Sequence, residues 1–467
     1  MKTCTFKKTL SGLALASVVA LAGCQKEELM ENQFAQPLAE TTQAGKAIPG
    51  QYIVVFKNGG TNLRATGVQA LTVAGRAATM KQRERLVETA GIEESAIQHT
   101  YEGAVNGFSA RLTKDQLERL RQNSEVAYVE QDFVITLAKP TTTGSTSTKG
   151  GKIKDESTTK GGGKGKNNTS EPAPTEPTPT EPLPTEPVPT EPAPTEPAPT
   201  EPVAGAYTKI TALPGENLPW HVSMTGYGDG TGKTVWIIDS GIDTDHPDLN
   251  IDLTRSTSMI YGISSVEDGY GHGTAVAGVI AAKNNGTGMV GVAANATIVA
   301  LRVFDDAGNG TMSRAISAVN YVINYGKPGD VINLSLGGGI SSTMDDMVMT
   351  AASRGIHVVI AAGNSAVDCS YNSPARVDAP GVYTVSAMDR YARFWSSSNF
   401  GAPVDYTAPG VGITVTSIGG GISTGASGTS YAAPHVAGIL LLRGEVFMQG
   451  VVSGDKDSWP DPIASLE

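Results

Sequence analysis

Cysteine is almost missing: there are three in 467 residues. Cys4 and Cys24 fall in an N-terminal leader, so Cys369 stands alone in the rest and no intrachain disulfide is available to it. Aromatic residues make up only 6%, which argues against a surface for stacking nucleic-acid bases. Basic residues are not in excess either; the formal net charge is −11, so nucleic acid is excluded as the main partner. No apolar run approaches the ~20 residues of a membrane-spanning helix. Histidine is scarce, six in all, so each one is worth placing. An exported chain with no disulfide needs another staple, and a bound metal is the usual one.

What is present is laid out in blocks. Lys2, Lys7 and Lys8 precede a short apolar core at 10–22, and residues 1–23 read as an export signal. Leu21-Ala22-Gly23-Cys24 resembles the lipobox of bacterial lipoproteins. That resemblance implies a lipid on Cys24, with residues 24–47 as a tether at the membrane. Gln25-Lys26-Glu27-Glu28 is similar to the surface-export signature of Bacteroidetes lipoproteins. The expected location is the outer membrane or cell surface, or the medium after processing.

Residues 48–138 read as a small α+β domain. The alternation at 51–57 predicts a strand, 80–90 a helix, and 105–112 another strand. Thr113, with Gln116 three residues on, has the form of a capping box. Leu117 and Leu120 give that helix an apolar face, and a strand at 126–135 closes the unit. The order β-α-β-β-α-β is ferredoxin-like. Residues 139–202 read as a linker. Its first half is rich in Thr, Ser, Gly and Lys, a composition that does not fold. Its second half is six copies of Glu-Pro-X-Pro-Thr from Glu171 through Thr200. Alternate prolines impose polyproline II, a stiff spacer of about 90 Å.

Residues 203–467 carry 13 basic and 23 acidic residues, a charge of −10, and are long enough for one large core. Apolar runs at 234–238, 297–303, 331–334, 357–361 and 382–387 alternate with helical stretches at 274–282, 313–325 and 343–354. Continuous Val/Ile runs separated by helices predict a three-layer α/β/α fold with a mostly parallel sheet. Functional groups in such sheets lie beyond the carboxyl ends of the strands.

Three residues at element ends stand out. Asp239 closes the 234–238 run, where a buried carboxylate is costly unless paired. His272 sits in Gly271-His272-Gly273-Thr274 at a helix start. Ser430 sits in Gly428-Thr429-Ser430-Tyr431-Ala432-Ala433-Pro434-His435-Val436-Ala437-Gly438, near the N-terminus of a predicted helix, where unpaired N–H groups favour negative charge. Each alone reads more readily as a structural residue. In the order Asp…His…Ser they form the set used by one class of serine hydrolase.

On these motifs the chain resembles a subtilase, a subtilisin-like serine protease, from about residue 219 to about 444. Asn333-Leu334-Ser335-Leu336-Gly337-Gly338, Ser373-Pro374-Ala375 and Thr384-Val385-Ser386-Ala387 are most similar to the proteinase K branch. Asn106-Gly107-Phe108-Ser109-Ala110 and Tyr128-Val129-Glu130-Gln131-Asp132 resemble the family's inhibitor-type propeptide, a folding template whose tail lies in the active site. The resemblance implies a self-processing endopeptidase acting on proteins and peptides. Its triad would be Asp239, His272 and Ser430, with Asn364, in Ala361-Ala362-Gly363-Asn364, as oxyanion donor. Substrate would lie between Gly308-Asn309-Gly310 and Ser335-Leu336-Gly337 by strand addition, with Ala362 and Gly363 lining the pocket before the cut. No acid marks that pocket, so broad, apolar-leaning specificity is expected. Structural Ca²⁺ is implied at one or two sites. The first would use Asp248, the Asn285 side chain and the carbonyls of Lys283, Thr287 and Met289, with Glu216 as a further ligand. The second would use Asp405 and the carbonyls of Pro380 and Val382.

The chain departs from the family at three points. Tyr431 stands where methionine is usual, the chain after Ser430 is short, and the linker is long. Cleavage near Ala138 would leave the lipid on the inhibitor half and free the protease; with no cut there, the Pro-rich stalk would hold the protease off the surface. A second reading is a surface binding or adhesion lipoprotein with an inactive protease domain. The complete Asp, His, Ser and Asn set argues against it.

Overall fold

A computed structural model describes residues 45–57, 73–103, 105–137, 145–146 and 205–467. The leader, Cys24, nearly all of the tether, Ala138 and the repeats lie outside these residues. The expected order appears in the N-terminal part: strand Ala47–Phe56, helix Val73–Ala90, strands Ile97–Tyr101 and Gly107–Arg111, helix Lys114–Gln122 and strand Val126–Thr136. The first strand pairs antiparallel with both Gly107–Arg111 and Val126–Thr136. The capping box forms: Gln116 N–H donates to Thr113 Oγ1 at 3.3 Å, and Thr113 N–H donates to Gln116 Oε1 at 2.9 Å. Such a cap contributes about 1 kcal/mol.

Residues of the first strand alternate between two interiors. Val54 and Phe56 pack with Leu86 and Leu120 of the sheet's own helices. Ile53 and Val55 join a larger core with Met312, Ile316 and Met344. This small sheet is therefore buried on both faces, by its own helices and by helices of the large part. Ile97–Tyr101 was not legible beforehand, because Ile-Gln-His-Thr-Tyr has no apolar alternation.

The large part is built on a nine-stranded sheet. In spatial order its strands are Phe447–Val451, Pro462–Ser465, Val404–Pro409, Val382–Met388, His357–Ala361, Val331–Leu334, Thr234–Asp239, Thr297–Arg302 and Thr257–Ser258. All neighbours run parallel except the first two. Period two again sorts the side chains. Trp236 and Ile238 face the helices Met312–Tyr325 and Ser342–Ser353. Val235 and Ile237 face His272–Ala281 and Thr429–Arg443. Full burial of each such side chain stabilises by about 1.5–3 kcal/mol, which is why the apolar runs were continuous. After the Ser430 helix ends at Arg443, the two strands Phe447–Val451 and Pro462–Ser465 pair antiparallel and extend one sheet edge.

Candidate active site

Asp239 is the last residue of its strand and fully buried. It accepts a 2.7 Å hydrogen bond from Ser240 N–H. His272 opens the next helix, with Nδ1 at 2.9 and 3.0 Å from the two Asp239 oxygens. Gly273 permits this approach, since a Cβ there would lie 2.2 Å from the Gly241 carbonyl oxygen. Nδ1–H donating to a carboxylate leaves the lone pair of neutral histidine at Nε2, the geometry a general base needs. Burial presses the His272 pKa down, but the charge and hydrogen bond of Asp239, with Asp268 farther off, offset it and hold the imidazole above its ordinary value.

Ser430 is the second residue of Thr429–Arg443. Its Oγ donates to the Ser335 carbonyl at 3.4 Å, a long bond, and makes none to His272. The ring of the next residue, Tyr431, lies 5.5 Å from the His272 ring, so the two helix starts are neighbours. Pro434 explains a further contact. Lacking an N–H, it cannot bond the Ser430 carbonyl four residues back, and Ser335 Oγ donates to that carbonyl instead, at 2.9 Å.

Asn364 follows the strand His357–Ala361. Its Oδ1 accepts from Thr429 N–H and Thr429 Oγ1, both at 2.9 Å. A backbone N–H can only donate, so the amide orientation is fixed and its NH₂ is turned away from Thr429. Among the described residues that NH₂ has no partner. Gly363 N–H donates to Thr429 Oγ1 at 3.0 Å, and the Ala362 carbonyl accepts from Asn399 Nδ2 at 2.9 Å. Asp239, Ser335 and Asn364 each sit at or just past the carboxyl end of a parallel strand.

Gly308, Asn309 and Gly310 do pair with an extended chain, and that chain is the protein's own. Asn309 lies opposite Thr136, Gly310 opposite Ile135 and Thr311 opposite Val134, antiparallel. Leu137 N–H donates to the Gly308 carbonyl at 2.9 Å. Ser335, Leu336 and Gly337 form no ladder with it. Ser335 and Leu336 are buried, and it is Gly338 that meets the incoming chain: a Cβ there would lie 2.7 Å from Phe133 and 3.1 Å from Ile135. Farther along the chain, Ser145–Thr146 pairs with the strand Gly421–Ser427, which leads directly into the Ser430 helix.

At the first expected metal position, Asp248 is buried and its pKa is pushed up to about 7, chiefly by that burial. Its oxygens accept from Met289 N–H at 2.9 Å and Asn285 Nδ2 at 3.1 Å. Asn285 thus presents its NH₂, not its carbonyl, because Thr287 N–H holds Oδ1 at 3.0 Å. Glu216 accepts from Gly286 N–H at 2.8 Å, and Lys283 directs Nζ to the Pro247 carbonyl at 3.0 Å. At the second, Asp405 accepts from Thr384 N–H at 2.8 Å, and burial raises its pKa to about 6. Val382 N–H bonds the Ala379 carbonyl at 3.0 Å, which folds the chain at Pro380 into a turn beside it. Among the described residues no three His, Cys, Asp or Glu side chains gather around one point.

Several working residues went unnoticed in the sequence. Thr429 orients Asn364, and its place beside Ser430 was the available signal. Asp268 accepts from Ser240 Oγ, Tyr270 N–H, Gly271 N–H, Thr274 N–H and Thr274 Oγ1 at 2.7–3.1 Å, and so fixes the turn that carries His272. Nothing in Glu267-Asp268-Gly269 announces this.

Comparison with known proteins gives two family matches. Residues 230–450 match the Subtilase family and residues 51–138 match Peptidase inhibitor I9. An "Extracellular serine proteinase" of Thermus sp. is 30% identical over 92% of this chain and 88% of its own length. "Subtilisin Savinase" of Lederbergia lenta is 40% identical over 49% of this chain and 84% of its own. Among solved structures, a cold adapted subtilisin-like serine proteinase matches at 36% identity and a TM-score of 0.43, covering 49% of this chain and 85% of that one.

Proposed function

The chain belongs to the subtilase family, and from that premise we propose that it cuts internal peptide bonds with Ser430, His272 and Asp239, and that its first substrate is itself. It is a serine-type endopeptidase made with an I9 propeptide as its own inhibitor. Ser430 Oγ turns from the Ser335 carbonyl toward His272 and attacks the scissile carbonyl. His272 Nε2 takes the proton and later gives it to the leaving amine. Asp239 holds the imidazole's tautomer and stabilises its charged form. The oxyanion is met by the Asn364 NH₂ and the Ser430 N–H, one of the helix's first unpaired amides; the side-chain donor alone is worth about 3–4 kcal/mol.

One observation carries the reading of self-cleavage. The propeptide's last strand ends at Thr136, Leu137 N–H bonds the Gly308 carbonyl, and the next described residues, Ser145–Thr146, pair with the strand leading to Ser430. On this reading the cut falls next to Ala138, between these two pairings in the sequence and outside the described residues. The domain limits follow: propeptide 48–138, linker 139–202, protease 203–467. Cleavage there separates the protease from a lipid on Cys24. No observation favours the inert binder.

Calcium fits the first loop. Asp248 is buried and has Glu216 raising its pKa further; the carbonyls of Lys283, Thr287 and Met289 would have to supply the other oxygens that a hard cation takes. Asn285 would have to turn its amide over, giving up Thr287. Bound there, the ion would supply charge neutralisation and cross-link the 283–289 loop to Asp248 and Glu216. Asp405 offers the second site a single carboxylate.

Intact mass and N-terminal sequencing of membrane and detergent-free fractions test the processing. A soluble species beginning at or near Lys139 is expected from wild type, and only the full lipid-bound chain from Ser430→Ala. An active species that keeps residues 24–137 covalently attached would refute release by processing.

A further inference from the structure

Tyr270 is half-buried two residues before His272, and no part of the catalytic reading uses it. Its hydroxyl donates to the Leu137 carbonyl at 3.1 Å. Leu137 is the residue whose N–H bonds the Gly308 carbonyl at 2.9 Å. One residue of the incoming strand is therefore held at both its backbone groups, by two different loops.

The tyrosine is placed rather than merely nearby. Its N–H and that of Gly271 both donate to Asp268 Oδ1, at 3.1 and 2.7 Å. Its ring lies over Gly308, where φ is +77° and a Cβ would stand 2.6 Å from the ring. Any other residue at 308 would be strained and would displace the ring. The neighbouring loops interlock as well: a Cβ on Gly269 would fall 2.1 Å from Asp306 Oδ1. A side chain whose rotamer is fixed in this way loses little freedom when it binds. The group it grips is a backbone carbonyl, present in every substrate whatever its side chains.

We propose that Tyr270 is a substrate-positioning residue: its hydroxyl clamps the carbonyl one residue before the cleaved one, in the propeptide tail and in protein substrates alike. This rests on the proposed reading in which Leu137 lies next to the cut. The clamped carbonyl carbon is three bonds from the reacting carbon, and the contact is made before chemistry begins. It therefore acts on ground and transition states equally, and its loss raises KM and leaves kcat unchanged. A merely structural role, supporting the turn that carries His272, would lower kcat instead.

The test is a cycle on the processed protease, wild type against Tyr270→Phe. Two fluorogenic peptides with Leu-Ala before the cut are compared, one normal and one with the Leu–Ala amide replaced by an (E)-alkene, which has no carbonyl. With the normal peptide, KM should rise about fivefold in Tyr270→Phe, the size expected of one neutral hydrogen bond. The alkene should cost wild type about fivefold more in kcat/KM than it costs Tyr270→Phe. Equal losses in the two proteins, or a loss carried by kcat, would overturn the clamp. Binding of the same peptides to Ser430→Ala and to Ser430→Ala with Tyr270→Phe reads the clamp without chemistry. A wild type that shows this binding difference yet cuts neither peptide would sink the proteolytic reading and uphold the clamp.

Discussion

His221 and His435 show how much of this molecule turns on single protons. Both are fully buried, and their rings are joined at 2.8 Å, Nδ1 of His221 to Nε2 of His435. His435 Nδ1–H donates to the Tyr431 carbonyl at 2.8 Å, so its Nε2 accepts from His221 Nδ1–H. His221 Nε2 then accepts from Thr414 N–H at 3.2 Å. An added proton on His221 Nε2 would face the Thr414 carbonyl, 3.0 Å away, a partner that offsets only part of the cost of burying the charge beside a second imidazole. Burial lowers both pKa values, that of His435 to about 4. The unfolded chain therefore binds more protons below pH 6.5, and stability is lost as pH falls from 6.5 toward 4, by about 3 kcal/mol for His435 alone. Asp248 and Asp461, pushed up to about 7 by burial, work in the opposite sense, so proteins must be compared at each pH. Urea unfolding of Ser430→Ala should weaken between pH 6.5 and 4.5 more steeply than that of the same protein with His221→Leu and His435→Leu. Parallel pH profiles would show the pair to be indifferent to acid. Legibility at this scale followed chemistry: Asp239, His272 and Ser430 each sit at an element's end among small or glycine-flanked residues. Tyr270 and Asp268 look like ordinary turn residues, because what gives them work is a contact with chain more than thirty positions away or a cluster of backbone amides.

Two helices owe their N-termini to the propeptide. In Met312–Tyr325, Thr311 caps the third amide, Arg314 N–H, and Asp132 of the propeptide takes the second, Ser313 N–H, at 3.1 Å. In Ser342–Ser353, Ser341 caps Met344 N–H, and Glu130 takes Thr343 N–H at 3.0 Å and the Ser341 hydroxyl at 2.9 Å. Each helix thus divides its unpaired amides between its own cap and a propeptide carboxylate, which also meets the positive end of the dipole. A charge-assisted contact of this kind is worth about 1–2 kcal/mol. Glu130→Ala and Asp132→Ala should each weaken inhibition of the processed enzyme by its propeptide about tenfold, measured as Ki; an unchanged Ki in both would remove the caps from the account. The five central parallel strands were legible to within two residues because both of their faces are apolar, whereas Val404–Pro409, Pro462–Ser465 and Thr257–Ser258 were not. The hairpin Val411–Ser417 and Gly421–Ser427 was not. Gly-Ile-Ser-Thr-Gly-Ala-Ser carries little apolar signal, and its strands are held by pairing to each other and to Ser145–Thr146.

For the molecule as a whole, no disulfide is found among the described residues, which puts weight on the core. Cys369 is free and buried, with its thiol pushed up to about 12 by burial, so it offers no cross-link. If calcium at Asp248 is the staple, chelation should lower the thermal midpoint of processed protease by about 5 °C or more, given that 1 kcal/mol moves a domain of this size by about 2–4 °C. Asp248→Asn should start lower and respond little to chelator. A wild type as indifferent to chelator as the variant would remove the ion from that loop. The division into an inhibitor half and a protease half was visible in composition, since the repeats from Glu171 to Thr200 have no means of burying a core. How the halves meet was not visible, because Phe133, Ile135 and Tyr128 find their partners only across the assembled sheet and helices.

The central claim is that Ser430 is made nucleophilic by His272. Labelling of the processed protease with a fluorophosphonate, followed by peptide mapping, measures it directly. The account predicts a single modified residue, Ser430, with the labelling rate reduced at least about a thousandfold in His272→Ala. Labelling at another serine, or a rate indifferent to the loss of His272, would contradict it.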